Sequence, residues 1–423
     1  MLQRLCILLL LSPALLAQSY TCGRSANGQS NIALTRDTTY TSAAGGFDLG
    51  MLPEQIDAAG CTSSKAFFFS APVAEGNYNV TVVLGGAPDA VTTVRAESRR
   101  LMLARIATSA GHSRTESFVV NVRRPEISTG GVVKRKPREI GSLDWDDKLT
   151  LEFSGQQPSV RSISISPVAA DTPTIYLAGD STVVDQDNEP WAAWGQMLPA
   201  FFGPKVAVAN HAESGETIRS FEGEQRFAKI FSVIKKGDYL FFQFAHNDQK
   251  PGGGYVSPEM YTGLLHKYIA MARERGATPV LVTSMNRRTF DTEGHVRDTL
   301  APYPQTMRTV AETEHVMLLD LNAMSKTLYE AIGEKDSRIL FVYAPANTYP
   351  NQKEALHDDT HFNNYGAYEL ARCIVLGLQQ KGSPLVHYLR LPKQRFNPEK
   401  PDAQDVVALP GTPFVDIQTP YER

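Results

Sequence analysis

Four short polar segments of the chain carry residue types suited to acyl transfer: Gly179-Asp180-Ser181-Thr182, Ser214-Gly215-Glu216-Thr217, His246-Asn247-Asp248 and His357-Asp358-Asp359-Thr360-His361-Phe362. A serine hydroxyl is a poor nucleophile until a base takes its proton. A histidine does so near neutral pH, and a carboxylate on its other ring nitrogen sets the tautomer and stabilises the imidazolium. Ser181, His361 and Asp358 meet that requirement. Asp358 lies three residues before His361, in what reads as a loop, and can turn back onto the ring. Asp359 competes for the role, and the spacing favours Asp358. A tetrahedral oxyanion needs donors. The backbone N–H groups of Ser181 and Gly215 and the side-chain amide of Asn247 can supply them, with glycine at 215 leaving the approach of the substrate oxygen clear. His246, Trp194 and Arg287 are candidates for substrate contact. Each also has a plainer reading: His246 as pocket lining, Trp194 (like Trp191) as core, Arg287 with Arg288 as a solvated surface pair. Asp180 reads as a turn-stabilising carboxylate.

The elements between these segments must bring them together. From Thr174 the text alternates strand and helix. Apolar runs at 174–179, 205–209, 238–245, 278–283 and 316–321 read as strands, and helical spacing covers 218–234, 257–275, 303–314 and 364–380. Ser257-Pro258 supplies an N-cap and a first-turn proline, and Gly276 a stop. Five strands alternating with helices predict a doubly wound, parallel five-stranded α/β sheet over 172–390. In such sheets ligands bind beyond the carboxyl ends of the strands. Three of the polar segments follow a strand and the fourth precedes the last helix, so all fall at one edge. The chain before this unit differs. Alternation at Tyr78, Val80 and Val82, at Leu149, Leu151 and Phe153, and at Ile163 and Ile165, with Gly and Pro between runs, predicts a β-sandwich over 18–168, either a carbohydrate-binding-like domain or a buttress for the unit that follows. Residues 391–423 are Pro-rich and read as an irregular tail packed back on the body.

Charge narrows the class of partner. The 42 Lys and Arg nearly balance the 45 Asp and Glu, and the densest basic cluster is only Lys134-Arg135-Lys136 with Arg138. Nucleic acid binding requires a concentrated basic face, so it is not expected. Residues 1–17 have the positive start, apolar run and small-residue end of a secretory signal. A secreted or periplasmic monomer is expected, with no membrane attachment after signal removal. Cys6 leaves with the signal, and Cys22, Cys61 and Cys373 allow at most one bridge within the chain. Cys22–Cys61 is the favoured pairing because both lie in the N-terminal region; Cys373 reads as a small buried hydrophobe.

The four segments, in order and spacing, resemble the four blocks of the SGNH (GDSL-like) hydrolases, which have a flavodoxin-like sheet. They are most similar to those of rhamnogalacturonan acetylesterase-like carbohydrate esterases, on Trp194-Gly195-Gln196-Met197-Leu198, Gln243-Phe244-Ala245-His246-Asn247-Asp248, Asn286-Arg287-Arg288 and Asp358-Asp359-Thr360-His361-Phe362. The resemblance covers about 174–382. It implies Ser181 as nucleophile, Gly215 and Asn247 in the oxyanion hole, an Asp358–His361 pair, no cofactor or metal, and acetylated polysaccharide as substrate, with pectic rhamnogalacturonan ahead of acetylated xylan. Two departures stand out. Ala245 replaces the usual glycine, which would narrow the pocket, and Glu216 stands where arginine is commoner. The rival readings are a metal-dependent hydrolase using His357, His361, His246 and Asp248, and a glycan-binding protein that has lost catalysis. An ordinary α/β-hydrolase would need a Gly-x-Ser-x-Gly elbow, which the chain lacks.

Overall fold

Strand alternation in the N-terminal half produces two sheets that share one core. The computed structural model describes residues 17–23 and 31–420; the expected signal segment therefore lies, but for Ala17, outside the described residues. One sheet has seven strands and the other five. Val80, Val82, Ile163 and Ile165 of the first meet Phe67, Phe69, Leu149, Leu151 and Phe153 of the second. Cys22 and Cys61 are bridged, with Cα atoms 5.4 Å apart, and Cys373 is buried and free.

The second half is a five-stranded parallel sheet. Its order is Ala207–Asn210, Thr174–Gly179, Tyr239–Gln243, Thr278–Val282 and Met317–Leu319. Side chains alternate between its faces. Ile175, Leu177, Phe241, Val280 and Val282 pack with the long helix Asn364–Gln380 on one side. Tyr176, Ala178, Leu240, Phe242 and Leu281 pack with the helix Pro258–Glu274 on the other. The chain leaves its first strand in one direction and crosses back for the third. That reversal opens a crevice at the carboxyl end of Thr174–Gly179, just where Ser181 follows.

Three expectations change. The helix expected over 218–234 is two, Ile218–Gly223 and Arg226–Val233, with Gln225 at φ 64° between them. The break is claimed by the N-terminal half: Lys134 N donates to Glu224 O at 2.9 Å, and Arg226 is drawn onto Glu139. The run at 316–321 gives a shorter strand followed by a helix, Leu321–Ile332, whose N-terminus is capped by Asp320. Segment 357–362 is not a loop. It lies in the strand Leu356–Phe362, paired antiparallel with Phe341–Ala344.

Buried polar contacts join the halves. Arg99 and Arg100, at the hairpin between Ala90–Ala96 and Arg100–Thr108, reach Gln186 O and Trp191 O (Arg99) and Asp185 (Arg100). Gln196 donates to Ser98 O at 3.0 Å. The C-terminal segment straps both halves: Arg95 donates to Pro410 O, and Trp191 Nε1 donates to Asp416 O at 2.9 Å.

Gly195 sets the spacing beneath the crevice. A Cβ there would come 2.2 Å from Val183 O and 2.9 Å from Asn210 Nδ2. Val183 belongs to the turn that carries Ser181, its N–H donating to Asp180 O at 3.0 Å. Gly195→Ala must push the short helix Trp194–Met197 off that turn. Overpacking of this kind costs about 1–3 kcal/mol, so the urea midpoint is expected to fall and turnover with it; an unchanged midpoint would refute the close-packing argument.

Candidate active site

Ser181 leaves its strand in a tight turn. The Asp180 carboxylate is buried, and its Oδ1 accepts from Thr182 N at 2.9 Å and Thr182 Oγ1 at 2.8 Å. Burial pushes the Asp180 carboxyl above its ordinary value. Asp180 therefore holds the turn, as expected. The Ser181 hydroxyl stands 2.9 Å from His361 Nε2, and His361 Nδ1 stands 2.8 Å from Asp358 Oδ2. Asp358 Oδ1 accepts from Thr360 N at 2.7 Å and His361 N at 2.8 Å. Burial works to raise the Asp358 carboxyl, but the His361 ring and these two amides outweigh it and leave the group below its ordinary value. Hydroxyl, imidazole and carboxylate thus form one hydrogen-bonded relay. Asp359 points elsewhere, accepting from Arg288 Nε at 2.5 Å and Tyr343 Oη at 2.6 Å.

The strand pairing explains how neighbouring aspartates diverge. Phe341 pairs with Phe362 and Tyr343 with His357. Asp358, Asp359, Thr360 and His361 therefore stand opposite Val342 alone. Extra residues on one strand bulge it and re-aim its side chains. Here the excess turns Asp358 back onto His361 and sends Asp359 outward. Trp191 packs edge-on against the His361 ring, with centroids 5.8 Å apart.

Gly215 and Asn247 follow the strands Ala207–Asn210 and Tyr239–Gln243, which flank the strand leading to Ser181. Gly215 has φ 80°, a left-handed conformation that favours glycine, while a Cβ there would meet only Lys136 Nζ, at 3.6 Å. The requirement for glycine is thus one of backbone conformation more than of clear approach. Asn247 Nδ2 donates to Glu216 O at 3.0 Å and its Oδ1 accepts from Lys250 Nζ at 2.8 Å. This orients the amide with one N–H still available. Ala245, at φ 153°, is buried in the core and does not narrow the cavity.

A cavity of about 330 Å³ is lined by Ser181, His246, Asn247, Arg287, His357 and Asp358 among others. His246 and Arg287 are in its wall. Arg287 donates to Thr299 Oγ1 and to His246 O, both at 3.2 Å. Trp194 is a correction. It is buried in the core, and its indole N–H is spent on Gln243 Oε1 at 2.6 Å, so no sugar can reach it. Lys250 and Thr419 also line the cavity and were missed. Lys250 follows Asn247 closely enough to have been noticed; Thr419 arrives with the C-terminal strap and has no sequence signal. Asp248 is buried with Oδ1 on Ile218 N at 2.9 Å, and burial raises its carboxyl to about 7. Among the described residues no group of three or more His, Cys, Asp or Glu is placed to hold a metal ion.

The relay assigns different consequences to the two aspartates. Asp358→Asn is expected to lower turnover of a small acetate ester by about 10²–10⁴-fold by favouring the wrong tautomer, whereas Asp359→Asn costs only a few-fold. A larger defect at Asp359 would reassign the acid. The depressed Asp358 carboxyl stabilises the fold above its unfolded value of about 4, and that stabilisation is lost as pH falls through the lower folded value. In urea denaturation the stability gap between the parent and Asp358→Asn should therefore narrow below about pH 4.

Comparison with known proteins bears on the family and the class of reaction. A family described as GDSL-like lipase/acylhydrolase matches residues 177–367. The rhamnogalacturonan acetylesterase RhgT of Bacillus subtilis is 42% identical over 218 residues, covering 51% of this chain and 93% of the relative. The probable rhamnogalacturonan acetylesterase YesY of the same organism is 36% identical over 216 residues, covering 50% and 94%. Among solved structures, that of Bacillus subtilis YxiM covers 86% of this chain and 99% of its own, at 24% identity and a TM-score of 0.47. The family match spans Ser181, Gly215, Asn247, Asp358 and His361. With a relative of this identity matched over nearly its whole length, the chain belongs to the GDSL-like lipase/acylhydrolase family and is a carboxylic ester hydrolase.

Proposed function

We propose that the protein is an exported carbohydrate acetylesterase that removes O-acetyl groups from pectic rhamnogalacturonan through an acetyl-Ser181 intermediate. The observation that carries this reading is the Asp358–His361–Ser181 relay opening into the cavity beside Asn247. His361 Nε2 takes the hydroxyl proton as Ser181 Oγ bonds to the acetyl carbon, and the carbonyl electron pair moves onto oxygen. The N–H groups of Ser181 and Gly215 and the Asn247 amide hold that oxyanion. Collapse breaks the bond to the sugar oxygen, which leaves with the proton from His361. Water then loses a proton to His361, attacks the acetyl group and releases acetate as Ser181 regains its proton. No step calls for a cofactor.

The pectic substrate is supported by the two acetylesterase relatives and by the cavity wall. Arg287 and Lys250 place two cations in that wall, where Asp358 is engaged by His361 and Asp359 by Arg288, and the hydrogen-bonding partners named for Arg287 are neutral groups. A galacturonate backbone carries carboxylates that such a wall attracts; xylan's main chain does not. Export is supported by the Cys22–Cys61 bridge, which suits an oxidising compartment. In this reading the enzyme acts as a monomer. Residues 172–390 are the catalytic unit, 18–168 a β-sandwich that buttresses it or binds glycan, and 391–423 a Pro-rich C-terminal tail.

Acetate release from acetylated rhamnogalacturonan and acetylated xylan tests the substrate; faster release from xylan would favour the xylan reading. Ser181→Ala should lower turnover about 10³-fold or more, His361→Ala about as much, and the double variant no further, because the two act as one unit. Arg287→Gln should raise KM for the pectic polymer and leave KM for acetylated xylan unchanged. A folded, active Ser181→Ala protein would overturn the mechanism.

A further inference from the structure

The basic cluster 134–138 belongs to the N-terminal half yet ends at the oxyanion side of the site. Its backbone is anchored first. Lys136 N donates to Glu139 Oε2 at 2.7 Å, and Glu139 is itself held by Arg226 and by Trp145 Nε1 at 3.0 Å. From this base two cations converge on one carbonyl. Lys136 Nζ donates to Ser214 O at 2.6 Å, and Arg138 Nη2 donates to the same oxygen. Their charges are matched alongside: Lys136 pairs with the buried Glu216, and Arg138 Nε donates to Glu213 Oε1 at 2.7 Å. Glu213 Oε1 also accepts from Ser214 N at 2.8 Å.

Ser214 O and Gly215 N–H are the two ends of one peptide unit. The unit is planar and trans, so fixing where the carbonyl points fixes the N–H in the opposite direction. Two charge-assisted bonds on the oxygen hold that plane and polarise the amide, making its N–H a stronger donor. Paired carboxylates balance the added charge, so direction rather than net field is what the pair supplies. Glu216, which stands where the family more often has arginine, is the residue that receives Lys136.

From this convergence, and resting on the oxyanion role given to Gly215 above, we infer that Lys136 and Arg138 are positioning residues for the reaction. They aim the Gly215 N–H at the developing oxyanion, so the N-terminal half completes the site without touching substrate.

The test uses the full chain with p-nitrophenyl acetate and, as a tetrahedral mimic, phenylboronic acid. Lys136→Met and Arg138→Met should each lower kcat about tenfold or more, a part of the 10²–10³ lost when an oxyanion donor is removed, with KM nearly unchanged. The inhibition constant for phenylboronic acid should rise in parallel, while inhibition by acetate stays constant. Lys136→Arg should recover most of the loss. Lys229→Met is the control, because Lys229 joins the halves through Glu75 and Glu126 O away from the site; it should lower the urea midpoint and leave kcat unchanged. Folded Lys136→Met and Arg138→Met proteins with the parental kcat and boronate affinity would overturn the inference, as would a kcat loss in Lys229→Met equal to theirs. Ser181→Ala separates the two levels: if it is inactive while those variants are normal, only the positioning role fails; if it is active, the serine mechanism itself fails.

Discussion

The joint between the two halves rests on Arg100. Its side chain is 1% exposed, and its guanidinium is divided between Asp185 Oδ2 at 2.9 Å, Asp144 Oδ1 at 3.0 Å and Asn121 O at 2.9 Å. Removing a charge from water costs several kcal/mol, and only complete pairing recovers it. Asp185 in turn accepts from Asn210 Nδ2 at 2.8 Å, so the ion pair reaches the end of a sheet strand. The adjoining hairpin tip has Glu97 and Arg99 at φ 53° and 58°, conformations that non-glycine residues seldom hold without support. Arg99 there donates to Trp191 O, and Trp191 lies against the His361 ring. A contact buried between the halves thereby backs the wall against which the imidazole packs.

The site was legible in the sequence to the extent that its residues are local and chemically distinctive. Ser181, Gly215, Asn247, Asp358 and His361 lie in short polar segments bounded by apolar runs, and a parallel sheet delivers strand ends to one edge whatever fills the core. The five strands could be read because both faces are covered and each run is nearly all apolar. What escaped was set by long-range partners. The bulged ribbon has no alternation to betray it, since His357 to His361 are all polar and their pairing partner comes earlier, across an intervening segment. The break at Gln225 depends on Lys134 and Glu139, far off in sequence. Trp194 has the residue type of a sugar platform, and only the packing shows that Gln243 takes its N–H. The cluster at 134–138 entered the sequence reading only as a measure of charge, because nothing local says where it points.

The two sides of the cavity are built on different principles. On the imidazole side a single ribbon carries both His361 and Asp358, so the pair is covalently close and corrects its own orientation. On the side proposed for the oxyanion the donors come from separate loops, and their alignment is borrowed: Asn247 leans on Glu216 O and Lys250, and the Gly215 peptide on two cations from the other half. Separate loops need outside anchors, which accounts for the density of buried charge around Glu139, Glu213 and Glu216.

The ribbon also stores surplus chain. Between its two bridged pairs, Phe341 with Phe362 and Tyr343 with His357, one strand spends four residues on a span its partner crosses with one. That slack is what lets a carboxylate and an imidazole three positions apart face each other. Loss of a single residue, even the chemically idle Thr360, would keep both pairs in place yet shorten the arc between them. Over this stretch the chain's length is as constrained as the catalytic pair itself, so homologous sequences should differ by substitution at the intervening positions and almost never by indel.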